Sequence, residues 1–198
     1  RIPVGHVEAG LRTNDIYRPF PEEINRKIAT SLSDMHFAPT EVARQNLLRE
    51  GIADAQIVVT GNTVIDALLQ VAEKPYDWDT SGLAAIPRDR RTILVTAHRR
   101  ENFGAPLKNI CAALRTLAER YADVQIVYPV HLNPNVQQVV YEMLGQLSNV
   151  TLLKPLEYLP LVQLMKHSYL VITDSGGIQE EAPGLGKPVL VLRDVTER

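Results

Sequence analysis

Short apolar runs alternate with stretches of helical periodicity along nearly the whole chain. This alternation favours parallel βαβ units, in which each helix crosses back over a sheet to start the next strand. The apolar runs predict strands, the first of them buried, over residues 2–7, 35–38, 57–60, 92–96, 124–130, 150–153, 169–173 and 188–192. The periodic stretches predict a helix opened by Pro21 and further helices over residues 41–50, 62–72, 106–121, 134–147, 161–167 and 177–185.

The second half of this pattern predicts a doubly wound parallel sheet. Ligands of such sheets bind beyond the carboxyl ends of the strands, so chemistry is expected in the residues that directly follow each strand. No clean period is present between Lys74 and Arg90, a segment that contains Trp78. We interpret this segment as an interdomain connection plus surface structure.

Composition and charge narrow the classes of function. The net charge of −2 provides no broad basic surface, so nucleic-acid binding is not expected. Cys111 is the only cysteine and its surroundings are helical, which excludes an intrachain disulfide and predicts a small buried side chain. No apolar run reaches the ~18 residues of a membrane span and no signal peptide opens the chain, so we expect a cytoplasmic protein. Both ends run closely into strand-like sequence, which predicts a piece of a larger protein.

Two segments of the first half contain carboxylates that are candidates for proton transfer. Glu8 follows the first predicted strand, close to Gly10, which would let a ligand approach. The alternative is a structural pair with Arg12. Glu22 lies in the first turn of a predicted helix, where Arg26 one turn later could hold it, although a solvated pair is the alternative. Two carboxylates near one sugar are suited to moving protons on and off carbon and oxygen.

Basic residues follow two strands of the second half. His98, Arg99 and Arg100 come just after the strand over 92–96, where they could neutralise a diphosphate. A basic surface cluster is the alternative. His131 follows the next strand in the same kind of position, although a lone histidine is more often structural.

A Ser175-Gly176-Gly177 turn joins the strand over 169–173 to the next helix. Backbone N–H groups at a helix start can hold a phosphate, and glycines let it reach the backbone. Glu181, a turn into the helix, could accept hydrogen bonds from ribose hydroxyls. Alternatively, Ser175 simply caps a tight turn. The fingerprints of ATP-binding and NAD-binding loops are absent from the sequence.

Several stretches of the chain have counterparts in one known family: HVEAGLRT, RPFPEEINR, FAPTE, VTGNTVIDAL, VTAHRREN, VYPVHLNPNV, TDSGGIQEEAPGLGKPVLVLRD and the closing TER. Together they closely resemble the bacterial non-hydrolysing UDP-N-acetylglucosamine 2-epimerases, and only residues 70–90 match weakly. The resemblance implies an α/β fold of glycosyltransferase-B architecture, with two Rossmann-like doubly wound parallel sheets, here incomplete. Residues 1–62 would end the N-terminal domain, and residues 63–198 would form most of the C-terminal, UDP-binding domain.

The resemblance also implies an activity, the interconversion of UDP-GlcNAc and UDP-ManNAc through elimination and re-addition of UDP. The catalytic residues that it implies are Glu8, Glu22 and His98. The UDP ligands that it implies are Ser175, Gly176, Gly177, Glu181 and Arg198. Arg99 and His131 match a second UDP-GlcNAc site that activates some members. No metal or other cofactor is implied; the partners are the two UDP-sugars and a second subunit in a homodimer, without nucleic acid or membrane.

Three positions depart from the family pattern: Leu161 replaces an aromatic residue near the uracil, Gly184 a serine and Val195 a threonine. Leu161 weakens the expectation of base stacking, whereas none of the three touches the catalytic set.

Three alternative functions stay open at the level of the sequence. A hydrolysing epimerase, which releases ManNAc and UDP, shares the fold and much of the site. A glycosyltransferase of the same architecture also has a glycine-rich turn followed by a helical glutamate, although PEEINR and HRREN favour the epimerase. A UDP-sugar-binding module without catalysis is the third. In addition, the 198-residue chain alone is expected to bind UDP weakly or misfold, and not to turn over.

Overall fold

The computed structural model describes residues 2–198, which divide into two compact units. The first unit extends to Asp66 and also includes residues 194–198, whereas the second covers Ala67–Arg193. The division falls inside helix α3 (Thr63–Ala72), close to the predicted boundary between residues 62 and 63. Residues 194–198 belong to the second domain in the sequence-based prediction, whereas in the structure they group with the first unit. Glu197 and Arg198 form ion pairs there, with Arg26 and Glu8 respectively.

The first unit contains a parallel sheet of three strands in the order β1-β2-β3. Its strands are β1 (Gly5–Val7), β2 (Met35–Ala38) and β3 (Ile57–Val59). Its helices are α1 (Glu22–Leu32), α2 (Glu41–Arg49), the start of α3 and a 3-10 turn at Asp54–Gln56. The prediction of a buried strand over residues 2–7 was wrong in extent and burial. Only Gly5–Val7 pairs, with β2 as the neighbour among the described residues, and Val7 is 54% exposed.

The second unit contains a parallel sheet of five strands in the order β6-β5-β4-β7-β8. Its strands are β4 (Arg91–Thr96), β5 (Val124–Pro129), β6 (Val150–Leu153), β7 (Leu170–Thr173) and β8 (Val189–Val191). Its helices are α4 (Ala105–Arg120), α5 (Pro134–Leu144), α6 (Tyr158–His167) and α7 (Gly176–Gly184), with the end of α3 and a 3-10 turn at Arg100–Asn102. The chain leaves β4 towards β5 and β6 and then returns to the other side of β4, so the strand order reverses between β4 and β7. The predicted doubly wound sheet is therefore confirmed.

Strand β4 lies in the middle of this sheet and has apolar neighbours on both faces. Ile93 and Val95 belong to one buried cluster, together with Cys111 of α4, whereas Leu94 belongs to the cluster on the opposite face. This alternation follows from the two-residue period of a strand. Cys111 is fully buried, which confirms its predicted role as a small buried residue, and burial raises the pKa of its thiol to about 11.

Residues 74–90 were interpreted wrongly from the sequence as an interdomain connection. Leu83 and Ile86 are buried in the core of the second unit, with exposures of 1% and 5%. Trp78 makes an edge contact with the ring of His167, with 4.8 Å between the ring centroids. These apolar residues lie in short turns without a regular spacing, so neither a helical nor a strand period in the sequence predicts their burial.

Local signals explain where most helices begin. The Thr40 hydroxyl accepts a hydrogen bond from the N–H of Ala43 at the start of α2. Helix α6 begins at Tyr158, three residues before the prediction, because Pro160 lies in its first turn, where no helical N–H is required. None of the helices within residues 2–198 has the length and apolar character needed to cross a membrane.

Two glycines of the first unit share a backbone conformation but differ in their surroundings. Gly10 has φ of +85° and Gly51 has φ of +86°. A Cβ atom added at Gly10 would lie 2.2 Å from the carbonyl oxygen of Ala43, whereas one added at Gly51 would meet nothing within 4 Å. Gly10 is therefore required by close packing against α2 as well as by its φ angle.

Replacing each glycine by alanine separates these two effects. We expect Gly51→Ala to lower the free energy of unfolding by about 1–2 kcal/mol, the usual penalty for a left-handed alanine. Gly10→Ala should lower it by about 4 kcal/mol or more, because backbone must also move. Urea unfolding followed by circular dichroism measures both. Equal decreases in the free energy of unfolding would show that α2 shifts at little cost and that the φ angle alone determines the effect of each substitution.

Candidate functional site

Strands β4 and β7 end side by side in the second unit. They pair in parallel with Thr96 opposite Thr173, and the two hydroxyl oxygens are 2.6 Å apart in a buried contact. Because the sheet order reverses between these strands, the loop after β4 and the turn after β7 flank the point where ligands of doubly wound sheets bind. We call the residues gathered here the switch-point cluster: His98, Arg99, Asn102, His131, Asp174, Ser175, Gly176 and Gly177.

Asp174 joins the two sides of the switch-point cluster. Its side chain is fully buried and its N–H donates to the carbonyl of Thr96 at 3.1 Å. Three donors reach its Oδ2 atom: the N–H groups of His98 and Arg99, both at 2.8 Å, and the amide of Asn102 at 2.9 Å. The roles of Asp174 and Asn102 were not predicted from the sequence. A carboxylate between a strand end and a Ser-Gly-Gly turn was the available signal.

The imidazole of His98 lies at the surface of this cluster, with 41% of its side chain exposed. Its ring stacks on that of His131, with 5.5 Å between centroids and 14° between planes. Burial is the main cause that lowers the pKa of His98 below 6.5, and His131 and Arg99 act in the same direction while Asp174 opposes them. The neutral imidazole therefore predominates at pH 7.

His131, which we predicted for a second nucleotide-sugar site, thus contacts the predicted catalytic histidine. Its Nδ1 atom accepts a hydrogen bond of 3.1 Å from the N–H of Asn133, the residue that caps α5. An accepting Nδ1 places the proton of the neutral ring on Nε2. The role of Arg99, whose backbone is bound to Asp174, stays a prediction.

The Ser175-Gly176-Gly177 turn leads directly into α7. The first α-helical hydrogen bond runs from the N–H of Gln179 to the carbonyl of Ser175, so the preceding N–H groups lie ahead of the helical ladder. Ser175 occupies the N-cap position of α7, as the capping alternative predicted, although its side chain makes no capping hydrogen bond to the helix. A Cβ atom at Gly177 would meet nothing within 4 Å, so this backbone is open to an approaching group. The arrangement suits an anion.

Glu181 lies inside α7 and is 6% exposed. Its Oε1 atom accepts a hydrogen bond of 2.9 Å from the hydroxyl of Tyr158 in α6. Burial, followed by this carboxylate, raises the pKa of Tyr158 to about 12. Tyr158 was missed by the sequence analysis because it was placed outside the predicted helix.

Glu8 is the centre of a second group of polar residues, in the first unit. Its Oε1 atom accepts hydrogen bonds from the side-chain amide of Asn62 at 3.0 Å and from Nη1 of Arg198 at 2.6 Å. Arg12, the structural partner considered from the sequence, binds the carboxylate of Glu50 instead. Glu8 also has φ of +63°, a conformation that non-glycine residues rarely adopt. We call Glu8, Asn62 and Arg198 the Glu8 cluster.

The two adjacent glutamates at the start of α1 have different environments. Glu23 is fully buried and accepts hydrogen bonds from the N–H groups of Thr13 and Asn14, so it holds the preceding loop. Glu22 is partly buried in the same turn. Arg26, which was expected to hold Glu22, forms an ion pair of 3.0 Å with Glu197.

The predicted site residues are thus divided between the units. Glu8, Glu22 and Arg198 belong to the first, whereas His98, Arg99, His131 and the residues of the α7 start belong to the second. Within residues 2–198, no group of three or more His, Cys, Asp or Glu side chains is arranged to hold a metal ion.

Comparison with known proteins identifies the family. The family model described as UDP-N-acetylglucosamine 2-epimerase matches residues 1–198. The chain belongs to the UDP-N-acetylglucosamine 2-epimerase family. The predicted resemblance is therefore confirmed at the level of this family.

Curated relatives with this name are similar over the whole chain. The UDP-N-acetylglucosamine 2-epimerase of Escherichia coli K12 is 60% identical over 204 residues, which cover 100% of this chain and 54% of the relative. A Thermotoga maritima protein described as a putative UDP-N-acetylglucosamine 2-epimerase is 55% identical, with 100% and 52% covered. The chain spans about half the length of the curated relatives it matches.

Solved structures of family members are also similar. A co-structure of Staphylococcus aureus MnaA with UDP has a TM-score of 0.94 and 50% identity, covering 100% of this chain and 53% of that one. The Neisseria meningitidis UDP-GlcNAc 2-epimerase bound to UDP-GlcNAc has a TM-score of 0.91 and 51% identity, covering 100% and 54%. These similarities confirm the predicted α/β fold of glycosyltransferase-B type.

Next to Glu8, two histidine rings of the first unit lie close together, His6 partly buried and His36 fully buried. The ring centroids of His6 and His36 are 6.2 Å apart, and His36 is fully buried with neither ring nitrogen hydrogen-bonded among the described residues. Burial and then Arg12 lower the pKa of His36. Burial, followed by His36 and Arg12, lowers the pKa of His6 against the opposing effect of Glu8. The folded state therefore favours neutral rings.

This pair predicts a loss of stability in acid. Because the folded pKa values lie below the unfolded value of about 6.5, the unfolded state binds more protons as pH falls. The free energy of unfolding should therefore be constant above about pH 6.5 with respect to these rings and decrease below it. His36→Leu should make this decrease shallower, as measured by urea midpoints between about pH 7.5 and pH 5.

The matched control is Ile57→Val, at the strand position paired with His36. It should lower stability by about 0.5–1.5 kcal/mol at every pH and leave the pH dependence unchanged. The same pH dependence in His36→Leu as in the wild type would refute the assignment to this pair.

Proposed function

We propose that a complete protein containing this chain interconverts UDP-GlcNAc and UDP-ManNAc by inverting C2 of the sugar without hydrolysis. Membership of the family and the similarity to a Neisseria meningitidis enzyme bound to UDP-GlcNAc support this proposal. The observation that carries it is the switch-point cluster, where Asp174 holds the His98 loop beside the open start of α7. A helix start and a histidine side by side suit the diphosphate of a nucleotide sugar.

The chemistry follows from the weak acidity of the C2 proton, which has no adjacent carbonyl group to stabilise a carbanion. A base removes this proton, the C2–H electron pair forms a C1–C2 double bond, and the C1–O bond breaks with its electrons passing to UDP. The intermediate is a 2-acetamidoglucal. UDP then adds back to C1 while a proton is delivered to the opposite face of C2, which reverses the configuration.

Glu8 and Glu22 are proposed as the groups that remove and deliver the proton. Carboxylates can do both in turn when they are held in place. Asn62 and Arg198 fix the Glu8 side chain, and its φ of +63° shows that the surrounding backbone maintains an unfavourable conformation there. Such strain is maintained at functional sites more often than elsewhere.

The second unit is proposed to bind the nucleotide. Backbone N–H groups of Gly176 and Gly177 would hold the phosphates, with the positive end of the α7 dipole favouring the negative charge that develops as UDP leaves. Ser175 would contribute its hydroxyl, because its own N–H already donates to Oγ1 of Thr173 at 2.9 Å. Glu181, already bound to Tyr158, would accept hydrogen bonds from the ribose. Arg99 and His131 are proposed for a second nucleotide-sugar site. The homodimer and the cytoplasmic location stay predictions.

Proton NMR of the complete protein with UDP-GlcNAc in deuterated water tests the reaction. We expect UDP-ManNAc with deuterium at C2 and an intact link to UDP. Glu8→Gln and Glu22→Gln should each slow the exchange by about 100-fold or more, since general acid–base catalysis contributes that much.

Glu41→Gln is the control, because Glu41 lies exposed on α2 and should leave the exchange rate unchanged. Free ManNAc with UDP would instead show a hydrolysing epimerase. No reaction without an added acceptor would reject both epimerases in favour of a glycosyltransferase or a binding module.

Arg198 provides a separate test, because the family resemblance implies a UDP ligand whereas its contact here is with Glu8. We propose that it serves Glu8. Arg198→Ala should then lower kcat by about 100-fold, the size expected for a misplaced catalytic group, with a small change in the UDP dissociation constant. Arg198→Lys should restore part of kcat. Weaker UDP binding with kcat preserved would instead establish the UDP-ligand role.

A further inference from the structure

The two oxygen atoms of the buried Asp174 carboxylate differ in their hydrogen bonding. Its Oδ2 atom accepts the hydrogen bonds that fix the His98 loop. Its Oδ1 atom is buried and has no hydrogen-bond partner among the described residues. An unbonded carboxylate oxygen in the protein interior is unfavourable, so this atom calls for an explanation.

The imidazole of His98 faces this oxygen atom and provides the explanation. Its Nδ1 atom is 3.4 Å from Oδ1 of Asp174, within ion-pair range. An ionised carboxylate only accepts hydrogen bonds, so attraction requires a proton on Nδ1. A small rotation of the exposed ring would then bring the two atoms into hydrogen-bonding contact, and catalytic hydrogen bonds often tighten in this way when substrate is bound.

A proton on Nδ1 determines whether Nε2, the other ring nitrogen, can accept or donate a hydrogen bond. In the neutral ring Nε2 is then bare, and in the charged ring Nε2 carries a second proton that can be donated. The negative charge of Asp174 raises the pKa of His98, although burial, His131 and Arg99 lower it overall. A carboxylate behind a histidine therefore both selects the tautomer and stabilises the imidazolium.

We propose that Asp174 is a positioning residue that holds His98 as the Nδ1–H tautomer and directs Nε2 towards the leaving diphosphate of the substrate, an inference that rests on the proposed function. When the diphosphate binds, its charge favours uptake of a solvent proton at Nε2. The imidazolium donates this hydrogen to a phosphate oxygen as the C1–O bond breaks. Asp174 itself does not contact the substrate.

His131 gives an internal comparison for this assignment. Its Nδ1 atom accepts the N–H of Asn133, so its neutral ring carries the proton on Nε2. Two stacked histidines should therefore have opposite tautomers. This difference is visible in nitrogen NMR spectra of histidine-labelled protein, with signals assigned from the spectra of His98→Gln and His131→Gln.

Asp174→Asn in the complete enzyme is the decisive substitution. The amide oxygen of asparagine can still accept from the N–H groups of His98 and Arg99, whereas its NH₂ group would replace Oδ1 and face Nδ1 of His98. We expect the His98 proton to move to Nε2 and kcat to fall by about 100-fold with a small change in KM. The double variant with His98→Gln should be no slower than His98→Gln alone, because both changes act through one ring.

Asn102→Ala is the matched control for the loop. It removes the amide that bonds both Oδ2 of Asp174 and the carbonyl of Leu192, but leaves Oδ1 facing His98. The tautomer of His98 should therefore be preserved. A tautomer change here equal to that in Asp174→Asn would show that loop placement alone is responsible, and would overturn the proposal.

The outcomes separate this inference from the proposed function. An active wild type whose Asp174→Asn variant retains both tautomer and kcat would overturn the role of Asp174 while leaving the epimerase intact. Bare Nδ1 on His98 in the wild type would also overturn it. An inactive wild type would reject the proposed function, and the tautomer comparison would then still decide whether Asp174 controls the ring.

Discussion

The parallel pairing of β4 with β7 is the constraint on which the arrangement of the second unit depends. It brings Thr96 next to Thr173 and so starts the His98 loop and the α7 turn from the same edge. Asp174 then needs to span only one strand spacing to bind the backbone of the neighbouring loop. A single buried carboxylate can therefore order both halves of the proposed anion site, since the sheet has already fixed their separation.

The sequence predicted the parts of the site that depend on strand ends. His98 and the Ser175 turn were found because parallel strands place their carboxyl ends at one edge. Asn62, Asn102 and Asp174 were missed because their bonds join positions 54 to 76 residues apart, which no local pattern records. Leu83 and Ile86 were missed for a related reason, since isolated core residues in turns have no period. Topology was thus predictable, whereas the polar contacts that tune each side chain were not.

In the first unit, backbone geometry restricts the sequence as strongly as side-chain chemistry does. Glu8 and Gly10 both have positive φ angles, and Gly10 lies directly against the backbone of α2. The turn between them therefore fits only a small set of residues. This restriction fixes where the Glu8 carboxylate emerges, and Asn62 and Arg198 then fix its direction. A short segment can supply a well-oriented acid because its backbone has so little freedom.

The burial of Cys111 has a practical consequence. Its thiol is inaccessible and its pKa of about 11 leaves very little thiolate at neutral pH, so alkylating reagents cannot modify it while the cluster around β4 is packed. Modification must wait for α4 to separate from the sheet. Because Cys111 is the single cysteine of the chain, the rate of its alkylation measures how often the second unit opens.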